Sequence, residues 1–225
     1  MTEGLVRAGD SIAINPDATV DRIQLDDTSW VDVARGWLAG ADALYAALLA
    51  DVPWRTSRLF RYDHWVDERR LGSWWRRGHP LPHLALAQVH KYLEREYRAT
   101  FDGFGMIQYR DGNDGQGFHR DTDMRWLDDT IIAILTLGAQ RPWLLRPRLS
   151  KHTLAEGKGA THDLAPAGGD LLVMGGRCQA DWEHAVPYRP AASVGIRISL
   201  QWRYTSRRGR PFVGASFRAP LTYNR

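Results

Sequence analysis

The sequence predicts a mostly β fold with flanking helices, a double-stranded β-helix or jelly roll. Two observations predict it. Two apolar stripes of helical period lie in the first hundred residues, and from Phe104 onward the pattern changes to short apolar runs separated by Gly, Asp and Pro turns. Many strands after two helices suit a pair of stacked sheets, a cupin-like arrangement whose mouth can hold a metal. With 225 residues and 44% apolar content, the chain can bury a sizeable core and is most simply one domain over 1–225. Within it we expect an N-terminal helical part (about 1–100), the jelly roll (about 104–204) and a basic C-terminal tail (205–225).

The first thirty or so residues carry only scattered short apolar runs. Leu38, Ala41, Leu44, Tyr45, Leu48 and Leu49 then recur at helical spacing, and Pro53 ends the pattern. A second helix should begin after Pro82, with Leu86, Val89, Leu93 and Tyr97 as its apolar stripe. Both stripes read as core, so the helices should brace the outer face of a sheet. The strongest strand candidates are Phe104 to Tyr109, Thr130 to Leu137, Trp143 to Arg146, Asp170 to Met174, His184 to Tyr188 and Val194 to Tyr204. Gly112, Gly115 and Gly117 make the stretch before His119 a loop, where glycine commonly serves turn geometry.

Composition narrows the function. No segment reaches the roughly 18 consecutive apolar residues that span a membrane. The start, Met1 to Arg7, has no apolar export region, so a cytoplasmic protein with no membrane partner is expected. Cys178 is the only cysteine, which excludes an internal disulfide and reads as a small semi-buried hydrophobe. The formal net charge of +4 is local in origin. Arg69, Arg70, Arg76 and Arg77 flank Trp74 and Trp75, while Arg207, Arg208 and Arg210 follow the last strand. Cations pair with phosphates and aromatic rings stack on unpaired bases, so the first cluster suits a nucleic-acid edge, although solubility also explains basic residues.

The chemistry is carried by Gly117-Phe118-His119-Arg120-Asp121 and, about 65 residues later, by His184 in Trp182-Glu183-His184-Ala185-Val186-Pro187. Two imidazoles and one carboxylate can cap one face of a non-haem Fe(II), leaving the opposite face open for a co-substrate and O₂. The second half of the signal is Arg197-Ile198-Ser199-Leu200-Gln201-Trp202-Arg203. As a strand it puts Arg197, Ser199, Gln201 and Arg203 on one face. Two guanidinium forks there suit a dicarboxylate such as 2-oxoglutarate. Each half alone is weak, since His-x-Asp recurs by chance and strand arginines are usually solvated. Order and spacing together suggest an oxygenase.

The stretch from about Phe104 to Arg203 resembles the AlkB family of Fe(II)- and 2-oxoglutarate-dependent dioxygenases. The resemblance rests on Tyr109-Arg110-Asp111-Gly112-Asn113-Asp114, His119-Arg120-Asp121-Thr122-Asp123, Gly169-Asp170-Leu171-Leu172-Val173-Met174-Gly175-Gly176, Trp182 to Pro187, and the Arg197 to Arg203 strand, in family order. It implies His119, Asp121 and His184 as iron ligands and catalytic centre, and Arg197 as partner of the distal 2-oxoglutarate carboxylate. Arg203 would lie near the carboxylate beside iron, Tyr109 would donate a hydroxyl to the co-substrate, and Ser199 would line the same site. Asp123 matches the acidic residue that faces the target base. Departures are Ile107, where the family often has an asparagine, Ser199 and Gln201 in the middle of the arginine run, and Met124, where another acid is common.

The implied activity is oxidative demethylation of alkylated nucleobases in DNA or RNA, a repair reaction that releases succinate, CO₂ and formaldehyde. The N-terminal part would face the substrate and the jelly roll would be catalytic. A methyl on a paired base lies inside the duplex, so the nucleotide must be extruded or single-stranded. Trp65, Trp74 or Trp75 would then stack on the base, and Asp123 would read its edge. Two rivals remain: an oxygenase of the same kind acting on a protein side chain or small metabolite, and a non-catalytic jelly-roll module that grips nucleic acid. His64, His79, His83, His90, His152 and His162 lack partners at ligand spacing. The sequence has no Walker loop, zinc cysteine pair or Gly-x-Ser-x-Gly elbow. Nothing demands a partner subunit, so a monomer is expected.

Overall fold

The computed structural model describes residues 11–61, 64–148, 160–190 and 192–213. Four short strands come first: β1 (Ala13–Ile14), β2 (Asp21–Gln24), β3 (Ser29–Ala34) and β4 (Leu38–Ala39). Helix α1 (Ala41–Asp51), the hairpin of β5 (Arg55–Arg61) and β6 (His64–Arg76), and helix α2 (Leu86–Glu96) follow. Strands β7 (Gly103–Tyr109), β8 (Gln116–His119), β9 (Thr130–Gly138), β10 (Leu144–Pro147), β11 (His162–Asp163) and β12 (Leu171–Gly176) lead to the short helix α3 (Cys178–Asp181), then β13 (Trp182–Val186) and β14 (Arg197–Thr205).

Both expected helices are present, each shorter at its start. Leu38 pairs with Ile14 in β4, and Gly40, at φ +67°, turns the chain into α1 with a conformation that glycine alone adopts at little cost. Val52 is extended at φ −78° and ψ 131° because the Pro53 ring excludes the helical region for its predecessor, and this ends α1. The indole of Trp54 donates at 3.2 Å to the Leu48 carbonyl, which also accepts the Val52 N–H at the helix end. In α2, Leu86, Val89, His90 and Leu93 form the buried stripe.

The strands form an antiparallel eight-stranded sheet ordered β2-β3-β12-β9-β14-β7-β6-β5 and a four-stranded sheet ordered β11-β10-β13-β8. Val31, Ile132, Ile134, Leu172 and Met174 of the large sheet pack against Leu145, Trp182 and Val186 of the small one, the sandwich of a jelly roll. On the other face of the large sheet, Ala133, Leu135, Leu137, Val173, Ile198, Leu200 and Trp202 pack against Leu44, Leu48, Leu86, Val89 and Leu93 of the helices. With both faces covered, β9 reads as a continuous apolar run instead of an alternating one.

The N-terminal part departs from its helical expectation, because β2, β3, β5 and β6 supply four of the eight strands of the large sheet. Strand β6 contains Asp67, Glu68, Arg69 and Arg70, so its period-two signal is masked by charge, and its partner β7 is remote in sequence. Residues 214–225 of the basic tail, the segment before Ser11 and His152 lie outside the described residues. Among the described residues, no helix is long and apolar enough to cross a membrane.

Candidate metal centre

Strand β13 pairs with β8 so that His184 lies directly opposite His119. Opposed residues on neighbouring strands point to the same face, and the two imidazole centroids stand 4.2 Å apart. Two residues beyond His119 the chain turns at Asp121 (φ −81°, ψ 67°) into a 3₁₀ turn at Thr122–Met124, which returns the carboxylate toward the rings. Asp121 Oδ1 is 3.8 Å from His119 Nε2, and one donor atom from each of the three residues lies within 4.8 Å of the others.

Each ligand candidate is held from behind. His119 Nδ1 lies 2.9 Å from the Gly117 carbonyl, which turns Nε2 toward the centre. The Asp121 N–H donates to Gln179 Oε1 at 2.8 Å, and Gln179, on α3, is fully buried. Trp143 stacks on His184 at 5.4 Å and 19°. Upstream, Gly112 passes so close to Arg189 that a Cβ would lie 2.0 Å from its carbonyl oxygen, so this glycine permits a packed backbone approach. The buried guanidinium of Arg141 fastens the same loop by donating to the carbonyls of Asp111 at 3.0 Å and Asp114 at 2.7 Å.

The electrostatics suit a cation. Burial pushes His184 down to about 3, with His119, Arg203 and Arg70 adding to the effect and Asp121 opposing it. His119 is lowered by burial as well, against Asp121 and the Gly117 carbonyl. For Asp121, burial alone would raise the carboxyl, yet the Arg203 guanidinium, the two imidazoles and Arg70 hold it below the carboxylate range. Two neutral imidazoles and one carboxylate are thus present together, and His184 Nδ1 is buried with no hydrogen-bond partner. This N,N,O donor set fits Fe(II) with open positions.

Beside it, β14 lies between β7 and β9 and aligns Arg197 with Tyr109 and Gly138, Ser199 with Ile107 and Thr136, and Gln201 with Gly105 and Ile134. The arginine face expected from period two is therefore present, turned toward the small sheet. Arg197 is fully buried; NH2 donates to Thr136 Oγ1 at 3.2 Å, while Nε and NH1 have no partner. Burial, with Arg141 adding and Tyr109 opposing, pushes Arg197 down to about 10. A buried cation with two idle donor atoms fits the carboxylate of a dicarboxylate co-substrate. Ser199 is buried in the next row. Arg203, at the open end, holds Asp121 Oδ1 at 3.2 Å, Asp123 Oδ2 at 3.3 Å and Gln201 Oε1 at 3.0 Å.

The aromatic cluster divides by strand parity. Trp74 shares the face of the Arg197 row, lies over Gly105 and is 53% exposed at the mouth. Trp75, expected as a substrate residue, is instead in the core. It stacks on Phe104 at 5.1 Å and donates its indole N–H to the carbonyls of His79 and Pro80. Adjacent strand residues point to opposite faces, so only one of the pair can reach the mouth. Arg77 is likewise structural, bound to Glu94 and to the Phe101 carbonyl. Asp123 is exposed beside Arg203.

Three residues of the site were not anticipated as such. Gln179 and Arg141 brace ligand segments through buried hydrogen bonds that no local period announces. Arg70 stands two residues before Gly72, which faces Ile107, and so enters the row of Tyr109; its NH1 is 3.4 Å from the Tyr109 hydroxyl and NH2 pairs with Glu68 at 2.9 Å. Only the β6–β7 pairing reveals that placement.

No family model matches the chain. It is 29% identical over 188 residues to the mouse protein named alpha-ketoglutarate-dependent dioxygenase alkB homolog 3, a match that covers 77% of this chain and 65% of that protein. The human DNA oxidative demethylase ALKBH2 is 30% identical over 118 residues, 52% of this chain and 45% of that one. The chain thus spans just under two thirds of the first of these relatives and less of the second. A prolyl hydroxylase from Trichoplax adhaerens, solved with a peptide of hypoxia inducible factor, has the same fold with a TM-score of 0.53 at 11% identity, over 77% of this chain and 83% of that one.

Proposed function

We propose that this chain, a homologue of the AlkB proteins, is an Fe(II)- and 2-oxoglutarate-dependent dioxygenase that demethylates alkylated nucleobases in DNA or RNA. The observation that carries the reading is the buried His119, Asp121 and His184 triad next to the partnerless guanidinium of Arg197. Bound there, Fe(II) with 2-oxoglutarate and O₂ would supply a two-electron oxidation of a substrate C–H bond, with succinate and CO₂ as co-products and formaldehyde lost from the hydroxylated N-methyl group.

The chain's own residues do the rest. His119 and His184 stay neutral and Asp121 ionised, so all three can ligate at neutral pH without first losing a proton. Arg197 would take the distal carboxylate of the co-substrate, with Tyr109 beside it and Ser199 in the next row. Arg203 would turn from Asp121 toward the carboxylate nearer the metal. Trp74 offers an aromatic face to an unpaired base at the mouth, and Asp123 an acceptor for its polar edge.

The test is release of succinate and formaldehyde by the Fe(II)-loaded protein with single-stranded oligonucleotides carrying 1-methyladenine or 3-methylcytosine, against unmodified controls. Both products, dependent on iron and on the methyl group, are expected. Succinate without formaldehyde would overturn the nucleobase assignment and keep the oxygenase; neither product would overturn both.

A further inference from the structure

The segment that carries His119 and Asp121 has a second side. Arg120, between them, points away from the imidazoles and into a separate concavity of about 210 Å³. Five guanidiniums line it, those of Arg120, Arg125, Arg148, Arg177 and Arg210, against two carboxylates, Asp128 and Asp181. Both carboxylates are already engaged by one arginine: Arg177 Nε lies 2.7 Å from Asp181 Oδ2, and its NH1 bonds Asp128. Among the described residues that line the concavity, the positive charge therefore exceeds the negative.

Arg148 and Arg210 take no part in these ion pairs. Arg120 is fixed, with NH1 donating to the Ala180 carbonyl at 3.1 Å and its plane 5.3 Å from the Phe212 ring. Arg125 reaches the wall from a left-handed backbone, φ +67°, which a non-glycine residue holds only at a cost of about 1 to 3 kcal/mol. Arg148 and Arg210 are exposed, and their guanidiniums donate to no described residue. Like charges gathered in one concavity are unfavourable until an anion bridges them, and guanidinium forks match phosphate oxygens in geometry and charge.

We infer that this concavity binds a backbone phosphate of the nucleic acid whose base is presented to the metal centre, an inference that rests on the nucleic-acid reading above. The two sites share the segment 119–121, so a strand held at one passes within reach of the other. A bound phosphate would also hold Arg120, and through it the turn that positions Asp121.

The experiment measures binding of an unmethylated, fluorescent single-stranded oligonucleotide to the full chain by anisotropy over a range of salt, for wild type and the double variant Arg148→Gln, Arg210→Gln. Losing the contacts to that phosphate should weaken binding at least about tenfold at low salt and reduce the slope of log affinity against log salt by about 0.7. Arg148→Lys, Arg210→Lys should restore most of both. Thermal melting should not fall and succinate formation without added nucleic acid should be unchanged, because neither side chain has a described partner or touches the metal centre. Coincident slopes would overturn the inference, as would displacement of the oligonucleotide by inorganic phosphate beyond the effect of equal ionic strength, which would mark a free-anion site. Formaldehyde is not read here: if nucleobase oxidation fails, the slopes still separate, and if this inference fails, they coincide whatever the turnover.

Discussion

Arg197→Met should stabilise the metal-free protein and abolish tight co-substrate binding. Arg197 is fully buried, has one hydrogen bond and leaves Nε and NH1 unpaired. Its value of about 10, well below that of an ordinary guanidinium, corresponds to a cost of roughly 3 kcal/mol for carrying the charge in the folded state. By linkage, a folded value below the unfolded one means that the folded state holds its proton less tightly, so the penalty is present in full at neutral pH and recedes only as pH rises through about 10. Methionine removes the penalty at similar length but forfeits the bond to Thr136, worth about 1 kcal/mol. A net gain of about 2 kcal/mol should raise Tm by roughly 4 to 8 °C in a chain of this size. Losing a charge-assisted pair to a buried carboxylate should weaken 2-oxoglutarate by about 10² to 10³. Scanning calorimetry of the metal-free protein and anaerobic titration of the Mn(II)-loaded protein with 2-oxoglutarate read the two effects. A fall in Tm together with retained affinity would refute the reasoning, since Arg197 would then be a satisfied structural residue.

Other substitutions separate positioning from packing. Gln179→Leu keeps the volume but leaves the Asp121 N–H without its acceptor; it should lower metal affinity about 10- to 100-fold, read by competition with a chelating dye. Trp74→Ala should weaken binding of a single-stranded oligonucleotide by about 1 to 3 kcal/mol with little change in Tm, whereas Trp75→Ala should cost about 3 to 5 kcal/mol of stability by denaturant titration. Although burial opposes it, hydrogen bonds from the Trp182 indole, Thr28 and Ser29 bring Asp26 down to about 2 from an ordinary 3.8. Its contribution is therefore full above about pH 4 and lost as pH falls toward 2, so the midpoint difference between wild type and Asp26→Asn should be present at pH 6 and vanish near pH 2. Cys178, 1% exposed and pushed up to about 12 by burial, should resist a thiol reagent until the protein is denatured.

Where a feature depends on period and order, the sequence is legible. The apolar run from Thr130 identifies a central strand, and alternate residues of Arg197 to Arg203 share a face because any strand alternates. His119, Asp121 and His184 are recognisable because their types and spacing match a known chemistry. What was not legible depends on pairing between distant segments. Strand β6 reads as a charge cluster until its register with β7 shows that Arg70 and Trp74 face the site while Arg69 and Trp75 do not. Strand β8 is four residues of glycine-flanked chain that owes its conformation to β13. Gln179 and Arg141 act through hydrogen bonds to carbonyl and amide groups that every residue carries, so nothing in their neighbours singles them out.

The direct pairing of His119 with His184 ties ligation to topology. A metal that bridges them closes a loop of about 65 residues, and the entropy of that closure is the same whether a strand ladder or a coordination bond achieves it. Because a slip of one position sends one imidazole to the other face and a slip of two moves it along the ladder, only a single β8–β13 alignment leaves the imidazoles side by side. Metal binding should therefore act as a proofreading step in folding, withdrawing free energy from every misaligned pairing. At a free metal concentration of one hundred times Kd it adds about 2.7 kcal/mol to the correct one alone. Iron supply would then govern how much of the chain survives in its native alignment as well as how fast it turns over.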